Sequence, residues 1–245
     1  MIKPVYIEAT TIADAWFQAV YNIFEYGFKY EVQHGSYVGE TRLEFPFITI
    51  LIKKPYSEPY DSMLPKIPEG LNIPNPVADG YVEQYLPYLM TGEKKPEEDY
   101  TYGSRLVNSF LGYNKLFHNS PAWDLDFDSP IYINQIEHFI KLLKETPNTN
   151  QAVLQVAQPG DGLLDDPPCL RSIHVKIINN KLVFYPYFRS NDLWAGFPAN
   201  LAGIAVLQKY MADEIGIESG EMIYSSSGLH IYGYAEELAK LRAGK

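Results

Sequence analysis

Residues 165–200, DDPPCLRSIHVKIINNKLVFYPYFRSNDLWAGFPAN, are the stretch that decides the fold. Asn179 and Asn180 suit a two-residue hairpin turn, because asparagine tolerates the positive φ that such a turn needs. The runs on either side are rich in β-branched and aromatic residues and occupy 170–178 and 181–188. Pro198 then suits the first turn of a helix over 198–215. The stretch therefore predicts a β-hairpin followed by a helix.

Hydrophobic periodicity predicts further elements on both sides of this stretch. Helices are predicted over 9–28, 78–91, 130–145 and 234–243. Strands are predicted over 42–53, 152–157 and 221–226, and long loops over 55–76 and 158–168. Because helices and strands mix without an internal repeat or an interdomain linker, we expect one α+β domain over residues 1–245.

Composition excludes several classes of protein. The chain has 245 residues, with 30 acidic against 20 basic side chains and a net charge of −10, which disfavours nucleic acid as a main partner. No apolar run approaches the roughly 20 residues that span a bilayer, and the first residues lack a secretory pattern. We therefore expect a cytoplasmic protein that does not bind membranes.

The single cysteine, Cys169, excludes an intrachain disulfide framework and a multi-cysteine metal site, so no metal is expected. A lone cysteine is more often a buried structural residue than a nucleophile. Here, however, Pro167 and Pro168 restrict the backbone before it, and a strand follows it. This rigid junction raises the nucleophile interpretation to an even chance. Arg189, at the far end of the paired strand, is the candidate cation for a thiolate.

Two later segments offer groups that could bind a ligand. Arg189 and Ser190 leave the second hairpin strand and could hold a phosphate together. Asn200, in the first turn of the next helix, has a carbonyl and an amide for a ring edge such as that of uracil. His230 and Tyr232 lie two apart, hence on one face of an extended segment. Each segment alone has a plain structural interpretation as a polar loop or a satisfied histidine.

Together, the short motifs resemble the catalytic half of the thymidylate synthase family. That family has Pro-Cys, Arg-Ser-x-Asp, Leu-Gly-x-Pro-x-Asn and His-x-Tyr in this order and at about these spacings. The matching pieces here are PPC (167–169), RSND (189–192), GFPAN (196–200) and HIY (230–232). The resemblance is clear over 165–235, thin over 100–165 and nearly absent over the divergent part before 100. The sequence is similar to that of a compact, archaeal-type member of the family.

The resemblance implies a thymidylate-synthase-like α+β fold: one large mixed sheet flanked by helices, with a homodimer formed through the sheet face. It also implies the substrate-binding residues. Arg189 and Ser190 would bind the 5′-phosphate of a dUMP-like nucleotide, and Asn200 would fix the uracil edge. The amide beside Gly196 would lie against the base. The ribose 3′-hydroxyl would be held by His230 and Tyr232.

The implied reaction is transfer of a one-carbon unit to C5 of dUMP, giving dTMP. Cys169 would add to C6, because C5 is not nucleophilic until a nucleophile adds there. The cosubstrate would be 5,10-methylene-tetrahydrofolate or a related reduced pterin, anchored by Asp192. Arg189 would help to activate the thiol. Tyr102, in a Tyr-Gly pair similar to that of the family, would help to manage a proton at the base.

The sequence also departs from the family. Two adjacent arginines that reach the partner's phosphate are replaced by 149–152, TNQA, and Arg42 and Arg105 are the candidate substitutes. At about 1.5–3 kcal/mol for each charge-assisted hydrogen bond, their loss would weaken phosphate binding considerably. The proton-relay glutamate has no secure match, and Glu83 is the candidate. The C-terminal tail that closes over the folate in the family is also missing after Tyr232, which would admit water.

Three alternatives stay open from the sequence. A pyrimidine nucleotide hydroxymethylase would use water in place of hydride. A non-catalytic relative would bind the nucleotide as a sensor. An unrelated ligand on the same fold would leave Cys169 as a structural thiol. Asn200 favours a uracil base, since a cytosine-specific enzyme is expected to have aspartate at that position.

Overall fold

The computed structural model describes residues 3–34, 37–113 and 129–245. The helices are α1 (Ile12–Tyr26), α2 (Tyr81–Met90), α3 (Tyr102–Val107), α4 (Gln135–Glu145), α5 (Gly196–Ile215) and α6 (Gly233–Ala243). The strands are β1 (Val5–Ala9), β2 (Phe28–Glu31), β3 (Thr41–Glu44), β4 (Ile48–Ile52), β5 (Ser109–Tyr113), β6 (Pro130–Ile133), β7 (Val153–Gln155), β8 (Leu170–Ile178), β9 (Lys181–Phe188), β10 (Asn191–Asp192), β11 (Glu218–Ser226) and β12 (Leu229–Tyr232). Two short 3-10 helices lie at Tyr60–Met63 and Pro159–Leu163.

The main sheet has six strands in the order β1-β4-β11-β9-β8-β7. The pairs β1–β4 and β11–β9 are parallel, and the other neighbours are antiparallel. One face is apolar and buried, with Ile50, Met222, Phe184 and Ile173 on successive strands. This is the large mixed sheet flanked by helices that the resemblance predicts.

The long helix α5 packs against β9 and β11 and contacts helices α1, α2 and α4. Most of its length is buried, including Leu201, Ile204 and Met211. A helix that is apolar on nearly all sides has to lie inside the molecule. Because α5 is fixed in the core, residues at its N-terminus hold constant positions relative to the sheet.

The hairpin predicted from the opening stretch is confirmed. β8 and β9 pair from Leu170↔Phe188 to Ile178↔Lys181. Asn179 and Asn180 have φ of 50° and 60°, the left-handed values that a two-residue type I′ turn requires.

A second sheet, in the order β10-β12-β3-β2, lies next to the end of the hairpin. β12 pairs with β10 in parallel through Asp192↔His230 and with β3 antiparallel through Tyr232↔Arg42. This small sheet therefore brings the first residues after β9 beside the C-terminal His-x-Tyr segment.

Two predicted elements differ from the observed ones. The helix predicted over 130–145 begins only at Gln135, since Pro130–Ile133 pairs with β5 and the Asn134 side chain caps the helix by accepting from the amide of Ile136 at 3.1 Å. The strand predicted over 42–53 is two strands, because the chain passes from the small sheet into the large one around Pro46. In the described ranges, no helix combines the length and apolar character needed to cross a membrane.

Candidate active site

Cys169 lies directly before β8, opposite the end of β9. The amide of Arg189 donates to the carbonyl of Cys169 at 2.9 Å, which extends the hairpin ladder by one pair. The Arg189 guanidinium turns back over the preceding loop, donating from Nε to the carbonyl of Pro168 at 3.2 Å and from Nη2 to that of Pro167. The guanidinium is close enough to Cys169 to lower the pKa of the thiol, and its part in activating the thiol stays a prediction.

Burial raises the pKa of the Cys169 thiol above its ordinary value, and the Asp166 carboxylate raises it further. The guanidinium of Arg189, and to a smaller extent that of Arg171, lowers it. Asp166 lies 3.5 Å from Nη2 of Arg189 and offsets part of that positive charge. In this state the thiol is held mostly protonated, and an anion that displaces Asp166 from the arginine would change that balance.

Behind the cysteine loop, Asp161 forms a buried ion-pair network that we call the Asp161 triad. Its carboxylate lies 2.8 Å from Nη2 of Arg105 and 3.1 Å from Nη1 of Arg171, and its side chain is 3% exposed. Arg171 also donates to the carbonyl of Pro168 at 3.1 Å. Arg105 thus donates from Nη2 to Asp161, and its buried Nη1 has no hydrogen-bond partner among the described residues. Its part as a substitute phosphate ligand stays a prediction.

Asn200 lies at the start of α5, where both ends of its amide have partners. Its Oδ1 accepts from the hydroxyl of Tyr85 at 3.0 Å, and its Nδ2 donates to Oδ1 of Asn191 at 3.2 Å. The side chain is only partly buried and borders two clefts, of about 350 Å³ and 380 Å³. The carboxamide thus has a fixed orientation and still faces open space.

The carboxylate of Asp192 caps the N-terminus of α5. It accepts from the amides of Trp194 at 3.0 Å, Ala195 at 3.1 Å and Gly196 at 3.2 Å. A carboxylate at this end of a helix is stabilised by free N–H groups and by the helix dipole. Asp192, the predicted contact of the pterin ring, therefore already holds the turn at Gly196 in place.

His230 and Tyr232 share one face of β12, as predicted, with their rings 4.5 Å apart at an angle of 80°. His230 is buried, and its Nδ1 lies 2.9 Å from the carbonyl of Gly228. Its Nε2 has no hydrogen-bond partner within the described part of the chain. Burial lowers the pKa of His230, and Arg42 and Arg189 lower it too, so the ring is neutral near pH 7.

Basic side chains converge beside His230. Both Arg42 and Arg189 are close enough to act on its pKa. Nε of Arg42 lies 2.8 Å from Oε2 of Glu44, and the Arg42 side chain keeps 32% of its surface exposed. Ser190, directly after Arg189, is partly buried. Arg42, unlike Arg105, is thus positioned near the predicted phosphate ligands.

Sequence reasoning missed a cluster of tyrosines. The cleft of about 350 Å³ beside Asn200 is lined by Tyr85, Tyr88, Tyr100, Tyr102, Glu98, Asp99 and Asp166. The amide of Leu170, next to the cysteine, donates to the Tyr102 hydroxyl at 3.3 Å. Burial raises the pKa of Tyr102, and the nearby Cys169 raises it further. Predicted Tyr102 therefore lies at the site, together with three tyrosines that were not predicted.

One predicted residue, Glu83, and one further cleft lie away from the clefts beside Asn200. Glu83 is exposed on α2 and lines neither cleft beside Asn200, because Tyr81, Tyr85 and Tyr88 of the same helix face them. A cleft of about 740 Å³ lies among Lys53, Lys54, Lys181 and Lys209 and includes none of the predicted site residues. Within the described ranges, no group of three or more His, Cys, Asp and Glu side chains is arranged to hold a metal ion.

Comparison with known proteins gives one consistent result. A family model described as thymidylate synthase matches residues 99–242. A protein of Methanosarcina mazei named "Putative thymidylate synthase" is 29% identical over 231 residues, covering 93% of this chain and 89% of the relative. Relatives with the same name from Methanococcoides burtonii and Methanothermobacter thermautotrophicus are 30% and 28% identical, covering 93% and 96% of this chain and 89% and 98% of their own lengths.

Proposed function

Because the chain belongs to the thymidylate synthase family, we propose that it transfers a one-carbon unit from a reduced folate to C5 of dUMP, giving dTMP. The observation that supports this most directly is the position of Cys169. The only thiol lies directly before β8, opposite Arg189, and the next residue donates its amide to Tyr102, which lines the cleft that Asn200 faces.

The nucleotide phosphate is bound by Arg189 and Ser190, with Arg42 as the replacement for the missing arginine pair. Arg189 now donates to the carbonyls of Pro167 and Pro168 and lies near Asp166. A dianionic phosphate is a better partner for a guanidinium than these groups. We assign the ribose hydroxyl to Nε2 of buried His230, which has no hydrogen-bond partner among the described residues, and to the partly buried Tyr232.

The chemical step begins when the Cys169 thiolate adds to C6 of the uracil ring. Negative charge then collects on O4, where the fixed amide of Asn200 stabilises it. C5 becomes nucleophilic and forms a bond to the folate-borne carbon. Loss of the C5 proton supplies the electron pair that breaks the bond between the transferred carbon and the folate nitrogen. Hydride from the released tetrahydrofolate then completes the methyl group, the Cys169 thiolate leaves C6, and dihydrofolate remains. We assign the proton transfer to the Tyr102 hydroxyl, which accepts from the amide next to Cys169. The position of Glu83 gives no support for its proposed part.

Asp192 is the proposed folate contact. Its carboxylate is held by three backbone amides, so it would offer its remaining lone pairs from a rigid position. The residues present fit a reduced folate in two further respects: the clefts beside Asn200 are open, and tyrosine rings line them. A flat heterocycle packs well against such rings. The folate is a cosubstrate that supplies the carbon and the hydride.

The reaction is tested by incubating the protein with 5-fluoro-dUMP and methylene-tetrahydrofolate. We expect a covalent complex on Cys169, detected as a mass increase on the peptide containing it, and none with Cys169→Ser. With dUMP we expect dTMP and dihydrofolate in equal amounts. A hydroxymethyl product without dihydrofolate would identify a hydroxymethylase, and the absence of any adduct would leave a nucleotide-binding protein.

We also propose a cytoplasmic homodimer formed through the face of the main sheet opposite α5. Side chains on that face alternate with the buried ones and keep part of their surface exposed, among them Tyr6, Leu51, Ile223, Tyr185 and Tyr187. Exposed aromatic and aliphatic residues on one contiguous face are typical of an interface between subunits.

A further inference from the structure

The hydroxyl of Tyr85 donates to Oδ1 of Asn200 at 3.0 Å, across 115 residues of sequence. Tyr85 lies on α2 and Asn200 on α5, so the contact joins two helices at the edge of the cleft. Nothing in the mechanism proposed above uses this hydroxyl. Its effect is therefore to be found in what it does to the carboxamide.

The Tyr85 ring is held in one place. It stacks between Tyr81, at 6.0 Å and 19°, and Tyr88, at 6.2 Å and 22°. On α5 it lies against Gly203, where an added Cβ would come within 2.6 Å of Tyr85 Cδ1. Glycine in a helix interior lowers stability by about 1 kcal/mol relative to alanine. At position 203 that cost leaves the space that the Tyr85 ring occupies.

The Tyr85 hydroxyl is the donor in its hydrogen bond with Asn200. Burial raises the pKa of Tyr85 well above its ordinary value, so the group keeps its proton and can donate. It donates to Oδ1 of Asn200 at 3.0 Å, so the oxygen of the Asn200 amide lies toward Tyr85. The amide nitrogen then faces Asn191, to which it donates. Both ends of the carboxamide are thus set by neighbours.

The groups left over on Asn200 determine what it can bind. A carboxamide has two lone pairs on oxygen and two hydrogens on nitrogen. With one of each already used, one acceptor and one donor remain, side by side. This pair matches a 4-oxo pyrimidine, whose N3–H donates and whose O4 accepts. A 4-amino pyrimidine presents the reverse arrangement.

On the basis of the proposed function, we propose that Tyr85 is a specificity-determining positioning residue, which fixes the Asn200 amide for 4-oxo over 4-amino pyrimidine nucleotides. Without its hydroxyl, only the bond to Asn191 opposes a half-turn of the amide, which would present the opposite pattern. Loss of a single buried hydrogen bond of this kind changes discrimination by about tenfold or more.

The test measures dissociation constants of dUMP and dCMP by calorimetry for the natural protein and for Tyr85→Phe. We expect the natural protein to bind dUMP more tightly than dCMP. In the variant, dUMP should bind more weakly, and the ratio of the dCMP to the dUMP dissociation constant should fall by about tenfold or more. Tyr210→Phe, which removes a partly exposed hydroxyl lining a different cleft, should leave the ratio unchanged. A purely structural effect of Tyr85→Phe would weaken both nucleotides alike.

The possible outcomes separate the two proposals. If the natural protein binds dUMP and a folded Tyr85→Phe keeps the same ratio, the inference about Tyr85 is wrong and the proposed function stands. If the natural protein binds neither nucleotide, both are wrong. If Tyr85→Phe does not fold, Gly203→Ala displaces the ring instead, and an unchanged ratio in that variant overturns the inference.

Discussion

At the scale of single residues, the Cys169 thiol is governed by opposing influences. Burial raises its pKa and the Arg189 guanidinium lowers it, with burial the larger effect. Only the thiolate reacts with alkylating agents, so its reactivity follows the deprotonated fraction. Without ligand, the thiol is therefore expected to be slow to react at neutral pH, although it is only partly buried.

We predict that alkylation of Cys169 by iodoacetamide accelerates as pH rises through and above the ordinary thiol pKa of about 8.5 and levels off only beyond it. Arg189→Leu removes the stabilising cation and should slow alkylation further at any pH below that plateau. Mass spectrometry of quenched samples gives the rates. A rate that is already at its plateau at pH 7 would contradict the dominance of burial.

The residues at the site divide into those that the sequence revealed and those that it did not. Cys169, Arg189, Asp192, Asn200, His230 and Tyr232 were predicted from motifs, because the chemistry of each fits its type and place in order. Tyr85 was missed. Its spacing with Tyr81 and Tyr88 along one helix face was visible, but its contact with Asn200 depends on the packing of α2 on α5.

At the scale of elements, the Asp161 triad joins the short 3-10 helix before the cysteine loop to α3 and β8. Arg105 comes from α3 and Arg171 from β8, and both side chains are largely buried. Removing the carboxylate from a buried pair leaves uncompensated positive charge in a poorly solvated place. The triad therefore sets the path of the loop that ends at Cys169.

We predict that Asp161→Ala lowers the free energy of unfolding by about 3–5 kcal/mol, measured by urea denaturation. The matched control is Asp213→Ala, which breaks an exposed ion pair with Lys209 within one helix. That change should cost less than about 1 kcal/mol. Equal decreases in the free energy of unfolding of the two variants would show that burial of the triad contributes nothing to stability.

Elements with strong local signals were predicted well. The hairpin turn at Asn179-Asn180 and the apolar stripe of α1 depend on neighbouring residues alone, and both are confirmed. Short strands were not predicted. Asn191–Asp192 is too brief for any periodicity, and Pro130–Ile133 is a strand only because β5 lies beside it. Strand formation there is decided by partners distant in sequence.

At the scale of the whole molecule, the prediction concerns the open face of the main sheet. We expect light scattering after size exclusion to give twice the chain mass of 27.9 kDa. Ile223→Lys places a charge in the middle of that face, on β11, and should shift the protein toward monomer. Leu163→Lys is the control, because Leu163 is 91% exposed and lies outside the sheet. A monomeric natural protein would contradict the proposed dimer.

The α+β class and the mixed sheet were predictable from the sequence, since the C-terminal motifs match a known family and that family has one fold. The N-terminal part was not. Strands β1 and β4 complete the sheet through Val5↔Ile48 pairing, and no local pattern announces that they are neighbours. The relative from Methanosarcina mazei aligns over 93% of the chain, so the alignment includes most of this part as well.

The hairpin has one more consequence, which concerns insertions and deletions. Cys169 and Arg189 lie at its open end, so the strand ladder between them determines whether thiol and guanidinium meet. A single extra residue within β9 would turn every later side chain of that strand to the opposite face. The turn at Asn179-Asn180, by contrast, can be lengthened without disturbing the pairing at the other end. Insertions and deletions should thus be tolerated at the turn and should abolish activity when they fall within the strands.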